Sequence, residues 1–389
     1  MNTTFYRFLL LILVLGPGCS DPSVDANVDG GFAVDLDVIE GDLGCVDCAD
    51  IMNLDAASRS DEGTPVELPQ VDDIEPSESK VWSLSLEQVP AGVTGLVKVS
   101  ALADLNLVAC GSAGAVAVYE ADTWTSINTG ASIDIRSCGG MAPGNVIAVG
   151  DQGRVWKRTA SAWSNEDLTE ESPGLLDVHA VAENEFIVVG VAGTIYRWTS
   201  GVWGKESIST NSAVQAVHGV DNALFATGDE LLLSWDGAEW VEDAIPDDPP
   251  GTPEANIGFR GRDIWAASAT SVWAVGDRGK VAFRGSDGFW VRQDAKWQAT
   301  AFRGIVGNDE SSLFALGDKG LLRQFVDGSW EVPVVESPEF TTTNPPQPWP
   351  IDSTVPPQAT LSFVGGSVRT NGDVWLFTTS GQWIRYAAP

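Results

Sequence analysis

VWAVGDRGKVAFRGSDGFW, residues 272–290, decides the fold. It reads as an apolar strand ending in Gly-Asp, a glycine-bearing turn, a second apolar strand, an Asp-Gly turn and a Trp. Its opening phrase returns along the chain as LVACGS at Leu107, VIAVGD at Val146, FIVVGV at Phe186, LFATGD at Leu224, LFALGD at Leu313 and VWLFTT at Val374. Counting Val272, the starts lie 39, 40, 38, 48, 41 and 61 residues apart. A recurrence near forty residues is the signature of a β-propeller, one four-stranded blade per repeat.

The flanks recur in register as well. An apolar strand precedes the phrase, as in LLDVHAV from Leu175 and VQAVHGV from Val214, and a Trp closes the unit 16 to 18 residues after its start, at Trp124, Trp163, Trp203, Trp240, Trp290 and Trp330. Four short strands fit each period. The last repeat stops after QWIRY at Gln382, whereas KVWSLSLEQ from Lys80 stands ahead of the first. The expected fold is therefore all-β, a seven-bladed β-propeller over residues 81–389. Its N-terminal strand closes the last blade as the outermost strand and leaves no open edge.

The pattern of GKVAFRGSDGFW from Gly279 and LLLSWDGAEW from Leu231 resembles BNR or Asp-box-like propeller repeats, and is similar to photosystem II assembly factor-like repeats and to secreted bacterial lipoproteins. It also resembles WD40/YVTN-like repeats. The likeness covers the chain after residue 80, and its motifs are architectural. The Asp-box itself is approximated best by Ser234, Asp236 and Trp240.

At the N-terminus Arg7 precedes the apolar run Phe8 to Leu15, too short to span a bilayer, followed by Gly16, Pro17, Gly18 and Cys19. This resembles a lipoprotein signal sequence: residues 1–18 would be removed and Cys19 lipidated. Ser20 after the Cys resembles the pattern exported to the outer membrane, so the expected location is the cell envelope, with the membrane reached through the lipid alone. Residues 19–80 read as an acidic disordered tether, since residues 20–80 set 17 Asp and Glu against Arg59 and Lys80. The whole chain carries a net charge of -32. Such a balance argues against nucleic acid and anionic lipid as partners.

Of the remaining cysteines, Cys45 and Cys48 suit a local disulfide. Cys110 and Cys138 either bridge adjacent blades or pack as two buried thiols. Asp25, Asn27, Asp29 and Gly30 spell the start of a calcium loop, but Leu36 stands where the twelfth-position carboxylate is needed. An acidic spacer is the preferred reading, and no metal or other cofactor is expected.

The turn joining the second and third strands of a blade shares a rim with the crossover to the next blade. That rim carries Asp151, Asp229, Asp277 and Asp318, and both long insertions, Asp243 to Gly261 and Glu336 to Gln358. Loops this long in a compact repeat are commonly functional, which makes the rim the candidate binding face, with Trp349 its candidate aromatic contact. An Asx-turn is the simpler role for each Asp. His179 and His218 occupy equivalent inner-strand places and are expected to pack or to make a polar contact between blades rather than hold a metal. A sialidase would need an arginine cluster and a Tyr nucleophile. Tyr119, Tyr196 and Tyr386 all fall at packing positions, and no nucleophile elbow or phosphate loop appears. The expected function is a monomeric, non-enzymatic scaffold or assembly factor binding envelope or extracellular proteins. A glycan-binding or glycan-hydrolysing propeller is the alternative.

Overall fold

The structure, a computed structural model, describes residues 82–88, 93, 95–103, 106–168, 173–247, 258–293, 300–309, 312–318, 321–331, 335–336, 362–369, 371–378 and 382–387. The expectations for Cys19, Cys45, Cys48, Asp25, Asn27, Asp29, the 19–80 tether and Trp349 lie outside these residues.

The first blade runs from the inner strand Lys98–Ala101 through Leu107–Cys110 and Val116–Glu120 to the outer strand Thr123–Ser126. Five more four-stranded antiparallel sheets repeat this inner-to-outer order, with inner strands Ile135–Ala142, Leu175–Ala182, Val214–Val220, Gly261–Ser268 and Phe302–Gly307. The remaining sheet differs. Its core is the meander Phe363–Val368, Val374–Thr378 and Gln382–Ala387, to which the N-terminal strand Trp82–Gln88 pairs antiparallel from Ser83 opposite Ala387 to Gln88 opposite Gln382. A fifth strand, Val335–Glu336, then adds parallel to the far edge, with Trp82 opposite Val335.

The expectation of seven like blades, with the N-terminal strand outermost, is thereby corrected. The structure has six four-stranded blades, not seven, and a mixed five-stranded closing sheet in which the N-terminal strand is flanked on both sides. The physical reason is the long connection after the sixth blade. Before it departs, it lays two residues along an edge whose backbone groups would otherwise go without a strand.

Alternation along each strand places apolar residues between neighbouring sheets, and every seam has its own buried cluster. Phe314, Leu316 and Leu322 of the sixth blade meet Phe363, Val368 and Leu376 of the closing sheet. On its other side Trp375 and Phe377 pack with Leu107 and Tyr119 of the first blade, so the ring is closed by burial as well as by strand pairing.

The glycine of the repeated phrase has a steric cause. A Cβ on Gly150 would lie 2.5 Å from the Asp134 carbonyl oxygen, and on Gly190, Gly228, Gly276 and Gly317 closer still to the carbonyls of Gly174, Ala213, Arg260 and Ala301. Each of these carbonyls belongs to the backbone entering the inner strand of the same blade. That chain can pass only where the side chain is absent.

Cys110 and Cys138, both fully buried, are joined by a disulfide that links the second strand of the first blade to the inner strand of the second. It closes a loop of sequence separation 28 across the seam between the first and second blades. Cross-links over loops of this size stabilise by about 2–4 kcal/mol, chiefly through the unfolded chain. Replacing both cysteines with Ala is expected to lower the urea unfolding midpoint accordingly. An unchanged midpoint under oxidising conditions would show that the bridge does not constrain the unfolded chain.

Candidate functional site

The inner strands surround a central cavity of about 350 Å³. Five of the six four-stranded blades and the closing sheet share a register shift near the start of the inner strand, skipping Arg136, Leu176, Gln215, Arg262, Arg303 and Val364. A bulge of this kind re-aims the skipped side chain. In three blades that side chain is an Arg, and it meets the rim Asp fifteen residues on. Arg136 Nη2 donates to Asp151 Oδ2 at 2.9 Å, Arg262 Nε and Nη2 donate to the two oxygens of Asp277 at 2.8 Å, and Arg303 Nη2 donates to Asp318 Oδ2 at 2.9 Å. Such forks are charge-assisted and geometrically specific. Where the Arg is replaced by Leu176, the Asp is replaced by Val191.

Asp151, Asp277 and Asp318 are thus held by Arg partners from their own blades, which goes beyond the simple Asx-turn. Asp229 instead forms a backbone bridge with Arg260, and its N–H donates to the Ala213 carbonyl. The fork from Arg262 holds the Asp277 carboxyl below the usual carboxylate range, against the opposing effect of burial. Arg303 and Arg260 add to this. Asp229 and Asp318 in turn help hold the Arg262 guanidinium charged, so Asp229, Asp277 and Asp318 belong to one charge cluster on the fourth to sixth blades. Asp151 stands apart on the second.

Deeper in the channel lies a group that the sequence reading missed. Lys98 of the first blade reaches across the axis, its Nζ 3.3 Å from Asp263 Oδ1 of the fifth blade and 3.6 Å from Asp177 Oδ1 of the third. Each Asp also ties its blade to the next one: Asp177 Oδ2 accepts the Val217 N–H at 3.0 Å and Asp263 Oδ2 accepts the Ile305 N–H at 3.0 Å. Ser137 Oγ donates to Asp177 Oδ1 at 2.6 Å. Burial by itself would lower the Lys98 ammonium, but Asp177 and Asp263 outweigh it and hold the charged form well above the ordinary range. Burial pushes the Asp263 carboxyl up, and Lys98 pulls against it.

His179 and His218 do come together, with ring centroids 5.1 Å apart and planes tilted by 48°. The Ala266 N–H of the fifth blade donates to His218 Nδ1 at 3.2 Å, so a neutral His218 carries its proton on Nε2. That tautomer does not offer Nε2 to a metal. Among the described residues no cluster of metal-ligating side chains forms. Burial keeps both imidazoles neutral, lowering His179 to about 4 and His218 well below its ordinary value, with Lys98 adding to both effects and His179 to the second.

Among the described residues, Tyr119, Tyr196 and the blade-closing tryptophans are packing groups. Tyr119 and Tyr196 are buried, and the indole N–H groups of Trp163, Trp203, Trp240 and Trp290 each donate to the preceding blade, at Ile127 O, Glu166 O, Glu206 Oε2 and Asp243 Oδ2. They close seams rather than line a sugar platform.

No family model and no curated protein matches the chain. Solved structures do. YCF48 bound to D1 peptide superposes with a TM-score of 0.57 at 13% identity, covering 80% of this chain and 96% of that one. YCF48 from Cyanidioschyzon merolae gives 0.56 at 16%, covering 78% and 99%. Virginiamycin B lyase from Staphylococcus aureus gives 0.59 at 13%, covering 79% and 100%. These neighbours include both a peptide-bound protein and a lyase. At such identities what they establish is the propeller fold of this chain.

Proposed function

We propose that the chain is a lipid-anchored, extracytoplasmic propeller that binds partner proteins as a scaffold or assembly factor and catalyses no reaction. The observation that carries this reading is the internal pairing of the channel charges. Lys98 is engaged by Asp177 and Asp263, the rim Arg residues are engaged by their Asp partners, and the two histidines are held neutral. Groups committed in this way hold a ring together and are poorly placed to move protons on a substrate. A rigid ring is well suited to presenting loops, and the complex of YCF48 with D1 peptide is a precedent for a propeller of this fold engaging a peptide. The acidic segment 19–80 with Cys19 supplies reach from a membrane surface.

In-cell crosslinking of the full chain followed by mass spectrometry tests the proposal. Discrete envelope proteins are expected among the captured species, and deletion of Glu336 to Gln358 should abolish their capture. Undiminished capture by the deletion variant, or none by the parent chain, would overturn the reading. So would glycoside hydrolysis by the purified propeller that is lost on changing Tyr196.

A further inference from the structure

At one level of the channel, each inner strand contributes the residue that pairs with the second residue of the repeated phrase. All of these residues line the central cavity, and they are unequal in size. The third to fifth blades supply His179, His218 and Trp265, whose successive ring centroids lie 5.1 and 6.4 Å apart and make a wall of rings. On the other side of the ring the first and second blades and the closing sheet supply Ser100, Gly139 and Ser367. The void therefore lies against the aromatic side.

Packing accounts for the glycines beside that wall but not for Gly139. A Cβ on Gly219 would lie 2.9 Å from His179 Nε2, and one on Gly307 would lie 2.7 Å from the Trp265 ring, so these two glycines let the rings close against the next blade. A Cβ on Gly139 would meet nothing nearer than the Val178 carbonyl oxygen at 3.5 Å, an ordinary contact. Its backbone does not use the left-handed range, and it pairs in register with Ile147. A glycine inside a strand weakens it, and one with no steric cause of its own marks a place where something else approaches the backbone.

The rest of the lining is cationic. Its charged side chains are Lys98, Arg136, Arg262 and Arg303 against Asp177 and Asp263, while the fork carboxylates Asp151, Asp277 and Asp318 stand behind their arginines and do not line the cavity. Each fork engages Nε and Nη2 of its Arg and leaves Nη1 as the third donor group. In a chain of net charge -32, a cavity lined in this way favours an anion.

We propose that the central cavity is a binding site for a small aromatic carboxylate. Its ring takes the space left by Gly139 against His179, His218 and Trp265, and its carboxylate turns toward Lys98 and the rim arginines. The cavity volume of about 350 Å³ suits a small ligand. This site goes beyond the partner-binding reading and does not depend on it.

The test uses the full chain, whose only two histidines both belong to the aromatic wall, so that imidazole resonances report on this cavity alone. Titration with indole-3-acetate at neutral pH should shift both imidazole signals saturably. Acetate and indole, each carrying half of the required chemistry, should bind at least about tenfold more weakly, or 1.4 kcal/mol. Gly139→Val, which the packing accommodates, should weaken indole-3-acetate by a similar factor. Imidazole signals that stay in place, acetate or indole binding as tightly as indole-3-acetate, or undiminished binding by Gly139→Val would each overturn the proposal. The three probes on the parent chain decide the matter even where the variant fails to fold. Failure here leaves the crosslinking result untouched, so the two readings fall separately.

Discussion

Replacing Lys98 with Met is expected to lower the unfolding free energy by about 3–5 kcal/mol near neutral pH, the largest single-site effect anticipated in this protein. The reason is the burial of what remains. Removing the ammonium leaves Asp177 and Asp263 facing one another in the channel, and an uncompensated buried charge costs far more than an exposed ion pair yields. Asp263 bears the greater part because burial already pushes its carboxyl toward the neutral form. Adding Asp263→Asn to K98M should therefore recover part of the loss. The Asn oxygen can still accept the Ile305 N–H, while its amide group takes the place vacated by the ammonium. Urea denaturation of the parent, both single variants and the double variant gives the coupling directly. A loss below about 1 kcal/mol for K98M, or strict additivity with D263N, would show the cluster to be solvated and inconsequential.

Lys98 also shows where sequence reading stops. The period, the strand order and the seam tryptophans were legible because each blade restates them, and repetition makes a weak local pattern strong. The closing sheet was legible in part. That Trp82–Gln88 pairs with Gln382–Ala387 follows from a last repeat lacking its fourth strand, but the parallel addition of Val335–Glu336 leaves no periodic trace because it occurs once. Lys98, Asp177 and Asp263 are non-periodic in the same sense, three charged residues at one inner-strand place in alternate blades. Their meeting depends on the closure of the ring across 165 residues of chain. The rim forks were legible in principle. Arg136, Arg262 and Arg303 each stand fifteen residues before their Asp, and the Leu176 and Val191 pair shows the two positions changing together. What hid them was the bulge, since plain alternation places the skipped residue on the wrong side of the strand.

The second large effect is expected on acidification. His179 has its folded-state value lowered to about 4 by burial, with Asp177 opposing and Lys98 reinforcing the shift, while the unfolded chain titrates near 6.5. Between those values the unfolded state binds the proton and the folded state does not, so stability is full above the upper value and falls as pH drops toward the lower. For His179 the loss is roughly 3 kcal/mol at 1.36 kcal/mol per pH unit, an upper figure because its ring borders the channel. His218 is lowered too, with His179 and Lys98 both repelling its charged form after burial, and therefore adds to the loss. Asp263 works in the opposite direction. Its raised folded value means that the folded state takes up that proton first, which returns stability on acidification and sets the sign apart from that of the histidines. Denaturant unfolding of the parent chain at successive pH values should show a midpoint that declines steadily below about 6.5. In His179→Gln the decline should be shallower, so that the variant gains on the parent as the pH falls toward 4. Parallel profiles for the two proteins would mean that His179 exchanges its proton freely with the channel, and that the imidazole pair between the third and fourth blades is solvated rather than sealed in their seam.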